Sequence, residues 1–194
     1  MAYLKVIAGP MFSGKTEELI RILQRSELAG KKALVLKPRL DTRTANEIAS
    51  RRKPTAQSAE FQKSASYPAF PVSDAKEVYA LLSEYLPSVL GIDEAQFFDY
   101  WLINLLEELL ANNADKDFKI IVAGLDMDAW RRPFGIMPQL MSMADEVKKE
   151  TAICFQCKER PAIFSQKLLG SEAQVEVGDN NIYEARCRAC HVLP

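Results

Sequence analysis

The feature that most constrains this chain is a glycine-rich segment near its N-terminus. An apolar run over Leu4–Ala8 precedes it, and a helical pattern follows it. In a phosphate-binding loop, backbone N–H groups point at the anion, a lysine neutralises the β- and γ-phosphates, and a threonine hydroxyl binds Mg²⁺. The sequence matches the G-x-x-x-x-G-K-T pattern of such a loop with Gly9, Pro10, Met11, Phe12, Ser13, Gly14, Lys15 and Thr16. The chain is therefore predicted to bind a nucleoside triphosphate.

Strand and helix patterns alternate after this loop. Short apolar runs typical of buried parallel strands are separated by helical segments, with Gly30 ending the first helix and Asp74 as N-cap of the second. Strands are predicted at Leu4–Ala8, Ala33–Leu36, Val89–Ile92 and Phe118–Ala123, and helices at Glu17–Ala29, Asp74–Leu86 and Tyr100–Leu110. This order predicts an α/β fold with a mostly parallel sheet, whose ligands bind at the carboxyl ends of the strands.

The composition excludes several classes of protein. Hydrophobic residues make up 48% and charged residues 26% of the chain, as in ordinary globular domains. A net charge of −1 argues against a general nucleic-acid or membrane-surface binder. No apolar run reaches the roughly 18 residues of a membrane span, and the N-terminus does not resemble a secretory signal. A cytoplasmic protein without membrane or nucleic-acid partners is expected.

A pair of acids follows the third predicted strand. Asp93 and Glu94 stand in Gly-Ile-Asp-Glu-Ala-Gln-Phe-Phe. Beside a phosphate-binding loop, the first acid is expected to hold Mg²⁺ and the second to act as a general base. Water as the attacking group would make an ATPase, and a substrate hydroxyl would make a kinase. A helicase would need a second motor domain, for which 194 residues leave no room.

Four cysteines lie in the C-terminal tail as two C-x-x-C pairs. Cys154 and Cys157 form the first pair, and Cys187 and Cys190 form the second. Four thiolates in this arrangement suit a tetrahedral Zn²⁺, and a closed Cys₄ site is structural because it leaves no open position. Two disulfides or four free thiols are the alternatives. His191 is expected at the surface, although it is also a candidate to replace a cysteine ligand.

Two segments interrupt the strand and helix rhythm. Thr44–Pro71 is rich in Ser, Ala, Arg and Lys, and its length indicates a functional or mobile segment. The tail from Thr151 carries all four cysteines. We therefore expect a RecA-like, phosphate-binding domain over residues 1–149 and a small zinc-binding domain over residues 150–194.

The combined motifs resemble the type II thymidine kinases over nearly the whole chain. The shared segments are G-P-M-F-S-G-K-T, K-P-R-L-D-T-R, G-I-D-E-A-Q-F-F, G-L-D-M-D with P-F-G, and Y-E-A-R-C-R-A-C-H. The resemblance implies ATP-dependent phosphorylation of the 5′-hydroxyl of thymidine to give dTMP. It implies Glu94 as catalytic base, Lys15 and Arg43 at the transferring phosphoryl group, and Thr16 and Asp93 at Mg²⁺.

The resemblance also implies a substrate pocket and an assembly. A zinc-anchored loop would close over the nucleoside as a lasso. The implied substrate-binding residues are Met11, Gln96, Phe97, Leu125, Ser165, Val177, Gly178 and Tyr183. Without the resemblance, Met11, Phe97 and Tyr183 would be interpreted as core residues. The family implies a homotetramer that is inhibited by its end product dTTP.

The chain departs from the family pattern near the base pocket. Directly after Gly-Leu-Asp-Met-Asp the family usually has phenylalanine, whereas this chain has Ala129 followed by Trp130. Gly178-Asp179 stands where the family often has two glycines, and Lys158 follows Cys157 where glycine is common. A broader range of deoxypyrimidines therefore stays open. The alternatives from other classes are an ATPase stimulated by nucleic acid and a non-catalytic nucleotide sensor.

Overall fold

The structure, a computed structural model, describes residues 1–50, 65–168 and 182–194. Strands and helices alternate through most of this part of the chain, and short strands follow at its C-terminal end. In chain order the elements are β1 (Tyr3–Ala8), α1 (Lys15–Leu28), β2 (Ala33–Pro38), β3 (Glu47–Ala49), β4 (Ser66–Pro68), β5 (Phe70–Val72), α2 (Ala75–Tyr85), β6 (Val89–Ile92), α3 (Trp101–Asn112), β7 (Lys119–Gly124), α4 (Met137–Met143), β8 (Glu146–Lys149), β9 (Ala152–Ile153), β10 (Pro161–Ala162), β11 (Phe164–Lys167) and β12 (Tyr183–Arg186).

A six-stranded sheet with the order β5-β2-β6-β7-β1-β8 forms the centre of the fold. Every neighbouring pair in it is parallel. Parallel strands place their carboxyl ends at one edge, so the segments that follow β1, β6 and β7 meet there. The predicted α/β fold with a mostly parallel sheet is confirmed.

Apolar side chains cover both faces of this sheet. In β1, Leu4 and Val6 face the larger core beneath α3, whereas Ile7 faces the core beneath α1. Helix α3 buries Leu102, Leu105 and Leu106 and α1 buries Leu19, Ile20 and Leu23, so each helix contributes an apolar stripe at helical spacing. Because both faces are packed, the central strands read as continuous apolar runs.

The predicted helix boundaries have local causes. The Asp74 side chain accepts a hydrogen bond from the backbone N–H of Glu77 at 2.9 Å, which makes it the N-cap of α2. Gly30, with φ of 76°, follows the end of α1 in a left-handed conformation that glycine adopts without strain. All three predicted helices and all four predicted strands are present.

Several short elements carry no strong sequence signal. Strand β5 contains Pro71 and lies at one edge of the sheet, and β8 has the sequence Glu-Val-Lys-Lys and lies at the other. Proline and charged residues are typical of edge strands, where pairing on one side is absent. Within the segment Thr44–Pro71, β3 pairs antiparallel with β4, and residues 51–64 lie outside the described residues.

The C-terminal part forms two short antiparallel ladders. Strand β9 pairs with β10, and β11 pairs with β12. The two ladders enclose a small cluster that includes Cys154, Ala162 and Cys187. The division predicted between residues 149 and 150 stays a prediction. No helix in the described part of the chain combines the length and the apolar character needed to span a membrane.

Candidate active site

The glycine-rich loop joins β1 to α1 at the carboxyl edge of the sheet. Gly9 has φ of 146°, and a Cβ atom there would lie 2.4 Å from the carbonyl oxygen of Glu150, so only glycine fits. Phe12 also has a positive φ, 64°, which is strained for an aromatic residue. The loop is thus held in a conformation that local sequence preference alone would not select.

Lys15 is buried at the start of α1, and its Nζ donates to the carbonyl oxygen of Pro10 at 2.7 Å. Burial lowers the pKa of Lys15, and the charges of Glu94 and Asp93 oppose this effect. The ammonium group is therefore held inside the loop, next to the pair of acids.

Asp93 follows β6 and is 5% exposed. The Thr16 hydroxyl donates to its Oδ2 at 3.0 Å. Burial, followed by the charge of Glu94, raises the pKa of Asp93 to about 7. A buried carboxylate and a hydroxyl at this distance form an oxygen-rich site of the kind that Mg²⁺ prefers.

Both carboxylate oxygens of Glu94 have partners. Arg43 Nη2 donates to Oε1, and Gln96 Nε2 donates to Oε2 at 2.6 Å. The backbone of Glu94 has φ of 52°, a left-handed conformation that is strained for a residue other than glycine. Burial would raise the pKa of Glu94, but the charges of Arg43 and Lys15 outweigh it and hold the pKa below its usual value. Glu94 is therefore ionised near neutral pH and able to accept a proton.

Gln96 lies behind this carboxylate. Its side chain is buried, and its Oε1 accepts from the backbone N–H of Leu125 at 2.9 Å. The backbones of Gly124 and Gly135 approach Gln96 so closely that a Cβ atom at either position would collide with it. Gln96 is thus fixed between β6 and β7 and does not line the cavity described next.

A cavity of about 400 Å³ opens in front of the loop and the acids. Its walls come from the glycine-rich loop, the segment after β2, the ends of β6 and β7, and the C-terminal ladders. The predicted site residues that line it are Met11, Phe12, Ser13, Gly14, Lys15, Thr16, Arg43, Asp93, Glu94, Phe97, Leu125, Ser165 and Tyr183. Gly9 and Pro10 line a second cavity instead, and Val177 and Gly178 lie outside the described residues.

Further cavity-lining residues were not predicted as site residues. Asp41, Thr44, Ile48, Ala49 and Ser50 form one wall, and Met127, Asp128, Phe134, Ala152, Ile153 and Phe155 contribute elsewhere. The Pro-Phe-Gly motif was the only available signal for Phe134, whose ring meets that of Phe97 edge to face at 5.7 Å. Ala129 lines the cavity, whereas Trp130 lies outside it, with the Arg132 guanidinium 5.2 Å from its ring centroid.

The four cysteines come together as predicted. Their sulfur atoms all lie within 4.8 Å of one another, and Cys157 Sγ is 4.0 Å from Cys187 Sγ. Sulfur atoms around a tetrahedral Zn²⁺ are separated by about 3.8 Å, given Zn–S bonds of about 2.3 Å. Backbone N–H groups oppose the effect of burial and lower the pKa of Cys154 to about 6. The cluster therefore has the spacing and the chemistry to hold a metal ion.

The prediction that His191 lies at the surface is wrong. His191 is 6% exposed, and its ring packs against Phe164 with the centroids 4.9 Å apart. Its Nδ1 accepts from Arg131 Nε at 3.1 Å, and burial followed by the charge of Arg131 lowers its pKa. A neutral imidazole can be buried when an adjacent guanidinium donates to it, which a single sequence does not reveal.

The loop and the cysteine region meet at the cavity. The backbone N–H of Met11 donates to Ser165 Oγ at 3.0 Å, and the rings of Phe12 and Phe155 meet edge to face at 5.5 Å. The glycine-rich loop, the ionised Glu94 carboxylate and an apolar wall thus line the same cavity. Such an arrangement can hold a phosphate group beside a hydroxyl group and remove the proton of that hydroxyl.

The comparisons with known proteins agree with this geometry. A family model described as thymidine kinase matches residues 2–191. A thymidine kinase from Mesomycoplasma hyopneumoniae is 40% identical over 191 residues, covering 98% of this chain and 95% of the relative. A thymidine kinase from Bacteroides thetaiotaomicron is 41% identical over 189 residues, covering 97% of this chain and 86% of the relative. Neither comparison favours a nucleic-acid-stimulated ATPase. The extent of these matches shows that the chain belongs to the thymidine kinase family.

Proposed function

We propose that this protein transfers the γ-phosphoryl group of ATP to the 5′-hydroxyl of thymidine and releases ADP and dTMP. The observation that carries this proposal is the position of Glu94, whose carboxylate lines the same cavity as the phosphate-binding loop and the apolar wall. The names of the relatives support thymidine as the acceptor.

The phosphate end of the cavity would bind ATP. We assign the loop of residues 9–16 to its phosphates, with the backbone N–H groups of residues 12–16 and the Lys15 ammonium as donors. Thr16 and Asp93, which already share a hydrogen bond, would hold the Mg²⁺ that accompanies ATP. This ion would neutralise charge on the β- and γ-phosphates.

Glu94 would then act on the acceptor. Its carboxylate takes the proton of the 5′-hydroxyl, the 5′-oxygen forms a bond to the γ-phosphorus, and the bond from this phosphorus to the β,γ-bridging oxygen breaks. The electron pair of the broken bond remains on ADP. Arg43, which is paired with Glu94 in the structure, would stabilise the negative charge on the transferring group.

The apolar end of the cavity would hold the thymine base. Met11, Phe97 and Leu125 offer apolar surface there, and Ser165 and Tyr183 line it from the C-terminal ladders. Val177 and Gly178, outside the described residues, belong to this proposal through the family resemblance. Gln96 fits a role in holding Glu94 better than direct contact with the nucleoside, because its amide nitrogen already donates to Glu94 and its amide oxygen already accepts from Leu125.

We assign a structural Zn²⁺ to the four cysteines. Its function would be to join the segment after β9, which carries Cys154 and Cys157, to the segment after β12, which carries Cys187 and Cys190. A homotetramer, inhibition by dTTP and a cytoplasmic location complete the proposal. Reduced thiols suit the cytosol.

Product detection tests the activity. The purified protein, loaded with zinc and supplied with Mg²⁺ and ATP, should convert thymidine to dTMP, as measured by mass spectrometry. Deoxyuridine and deoxycytidine test the range of acceptors. Rapid ATP hydrolysis that rises with added DNA, without any nucleoside phosphorylation, would contradict the proposal.

A further inference from the structure

The largest fully buried side chains in the described part of the chain include one charged residue, Lys37, which is 0% exposed. Lys37 is the penultimate residue of β2 and follows the apolar sequence Ala-Leu-Val-Leu. Lysine is almost never fully buried unless it is paired, because removing an ammonium group from water is costly. An apolar residue would satisfy the sheet at this position, so the lysine needs another explanation.

The partners of Lys37 all belong to one segment. Its Nζ donates to the carbonyl oxygen of Thr44 at 2.6 Å, to Thr44 Oγ1 at 2.8 Å and to the carbonyl oxygen of Glu47 at 3.3 Å. It also forms an ion pair with Asp41 Oδ2 at 3.5 Å. The chain after β2 is thus wrapped around a single ammonium group.

This segment is also a wall of the active-site cavity. Asp41, Arg43 and Thr44 line the cavity, as does Ile48 just beyond them. In the described residues 39–50 the three-residue strand β3 is the only strand or helix, so few backbone hydrogen bonds of regular structure hold this wall. The Lys37 ammonium, fixed on a strand of the central sheet, instead donates hydrogen bonds to this wall.

The contacts continue from Lys37 to the proposed base. The second oxygen of Asp41, Oδ1, accepts from Arg43 Nε, and Arg43 Nη2 donates to Glu94. Burial would raise the pKa of Asp41, but the hydrogen bond from Arg43 and the charges of Arg43 and Lys37 hold it below its usual value. Asp41 therefore stays ionised between two cations. Charges alternate along the row Lys37, Asp41, Arg43, Glu94.

We propose that Lys37 is a positioning residue for phosphoryl transfer, which fixes Asp41 and Thr44 so that the Arg43 guanidinium is aimed at the reacting groups. This inference rests on the proposed function. Lys37 does not line the cavity, so it acts only through these neighbours. A displacement of about 1 Å in a group that stabilises charge can cost roughly 100-fold in rate.

The first experiment replaces the ammonium group and keeps the length of the side chain. The full-length Lys37→Met variant is compared with wild type and with Lys32→Met, an exposed lysine just before β2. We expect kcat to fall by roughly 10- to 100-fold in Lys37→Met, with KM for ATP changed less than about threefold. Lys32→Met should match wild type, and Lys37→Arg should regain part of the lost kcat.

A double-mutant cycle separates positioning from a general structural role. If Lys37 acts through Arg43, Lys37→Met should lower kcat in the wild type but have little further effect in an Arg43→Met background. An equal loss in both backgrounds would overturn the proposal, as would an unchanged kcat in Lys37→Met. Should Lys37→Met fail to fold, Asp41→Asn interrupts the same row, and the same cycle with Arg43→Met applies.

The wild-type assay separates this inference from the proposed function. A wild type that phosphorylates no nucleoside would overturn the proposed function and this inference together. An active wild type with an equally active Lys37→Met variant would overturn the inference alone.

Discussion

Glu94 illustrates how much of the site depends on single residues. Its backbone adopts a left-handed conformation, and both of its oxygens accept hydrogen bonds from defined partners. A non-glycine residue in this region costs about 1–3 kcal/mol, which the surrounding structure must offset. This carboxylate is therefore held in a fixed direction before any substrate binds.

Replacing this carboxylate by its amide tests its role as base. Glu94→Gln should lower kcat by roughly 10²- to 10⁴-fold, because an amide cannot accept the proton. Binding of an ATP analogue should be retained, as measured by calorimetry. Glu84→Gln, at an exposed position of α2, is the matched control. Normal turnover in Glu94→Gln would remove Glu94 from the base role.

Asp93 should make stability depend on pH. Its pKa rises from 3.8 to about 7 in the fold, so the folded state prefers the neutral acid. The cost of ionising it appears as pH rises above 3.8 and is complete above pH 7, at about 1.4 kcal/mol per pKa unit. Without Mg²⁺ or ATP, Asp93→Asn should therefore raise Tm by several degrees at pH 8 and by less at pH 5.

Thermal unfolding of wild type and Asp93→Asn at the two pH values measures this difference. Asp115→Asn, at an exposed position, controls for the general effect of removing a negative charge. A gain in Tm that is the same at pH 5 and pH 8 would show that the Asp93 carboxyl has an ordinary pKa.

Gln96 offers a choice between two roles. Its amide joins Glu94 to the backbone of Leu125, so Gln96→Met should lower kcat by roughly 10- to 100-fold through the loss of this alignment. KM for thymidine should stay nearly constant. Steady-state kinetics check this, with the exposed Gln139→Met as control. A large rise in KM at constant kcat would instead favour direct contact with the nucleoside.

At the scale of elements, sequence reasoning succeeded where a segment carries its own signal. The central strands are apolar because both faces of the sheet are packed, and α2 is marked by its N-cap. Strands β5 and β8 were missed because edge pairing needs only a few residues and tolerates proline and charge. Their existence depends on the neighbouring strand, which local patterns do not contain.

The residues of the candidate site also divide into those with a local sequence signal and those without one. The residues of the loop and the acid pair were predictable because they stand directly after strands, at fixed spacing. The wall formed by Thr44, Ile48 and Ser50 was not predicted, because its place follows from the pairing of β3 with β4 and from the hydrogen bonds of the buried Lys37, which local patterns do not show. His191 was misplaced for the same reason, since its partner Arg131 lies far away in sequence.

The cysteine cluster should be needed for the C-terminal ladders but not for the parallel sheet. In Cys187→Ser, bound zinc should fall from about one per chain to none, and thymidine phosphorylation should be lost. Ala189→Ser adds the same hydroxyl at an exposed position between two of the cysteines, and this variant should keep both the bound zinc and the phosphorylation of thymidine. Metal analysis and product assays measure these changes. Full activity in a zinc-free Cys187→Ser protein would contradict the structural role.

At the scale of the whole molecule, the cavity is closed by contacts between distant parts of the chain. The hydrogen bond from Met11 to Ser165 and the ring contact between Phe12 and Phe155 join the phosphate-binding loop to the cysteine region. The proposed nucleotide end and nucleoside end of the cavity therefore share structural support. A change on one side is expected to affect the other.

Ser165→Ala tests this link. Loss of its hydroxyl leaves the Met11 N–H without its partner and should cost about 1 kcal/mol, which corresponds to a fall in Tm of about 2–4 °C. KM for thymidine should rise, and KM for ATP should rise as well. Ser142→Ala, at an exposed position of α4, is the control. An unchanged Tm with both constants unaltered would show that this bond does not couple the two ends.

The bond between Met11 and Ser165 spans 154 positions of the chain. During synthesis the glycine-rich loop leaves the ribosome well before Ser165 does. A growing chain can thus pack the central sheet while its nucleotide site still lacks one wall. The complete cavity therefore forms only after the C-terminal ladders have been made and have packed against the loop.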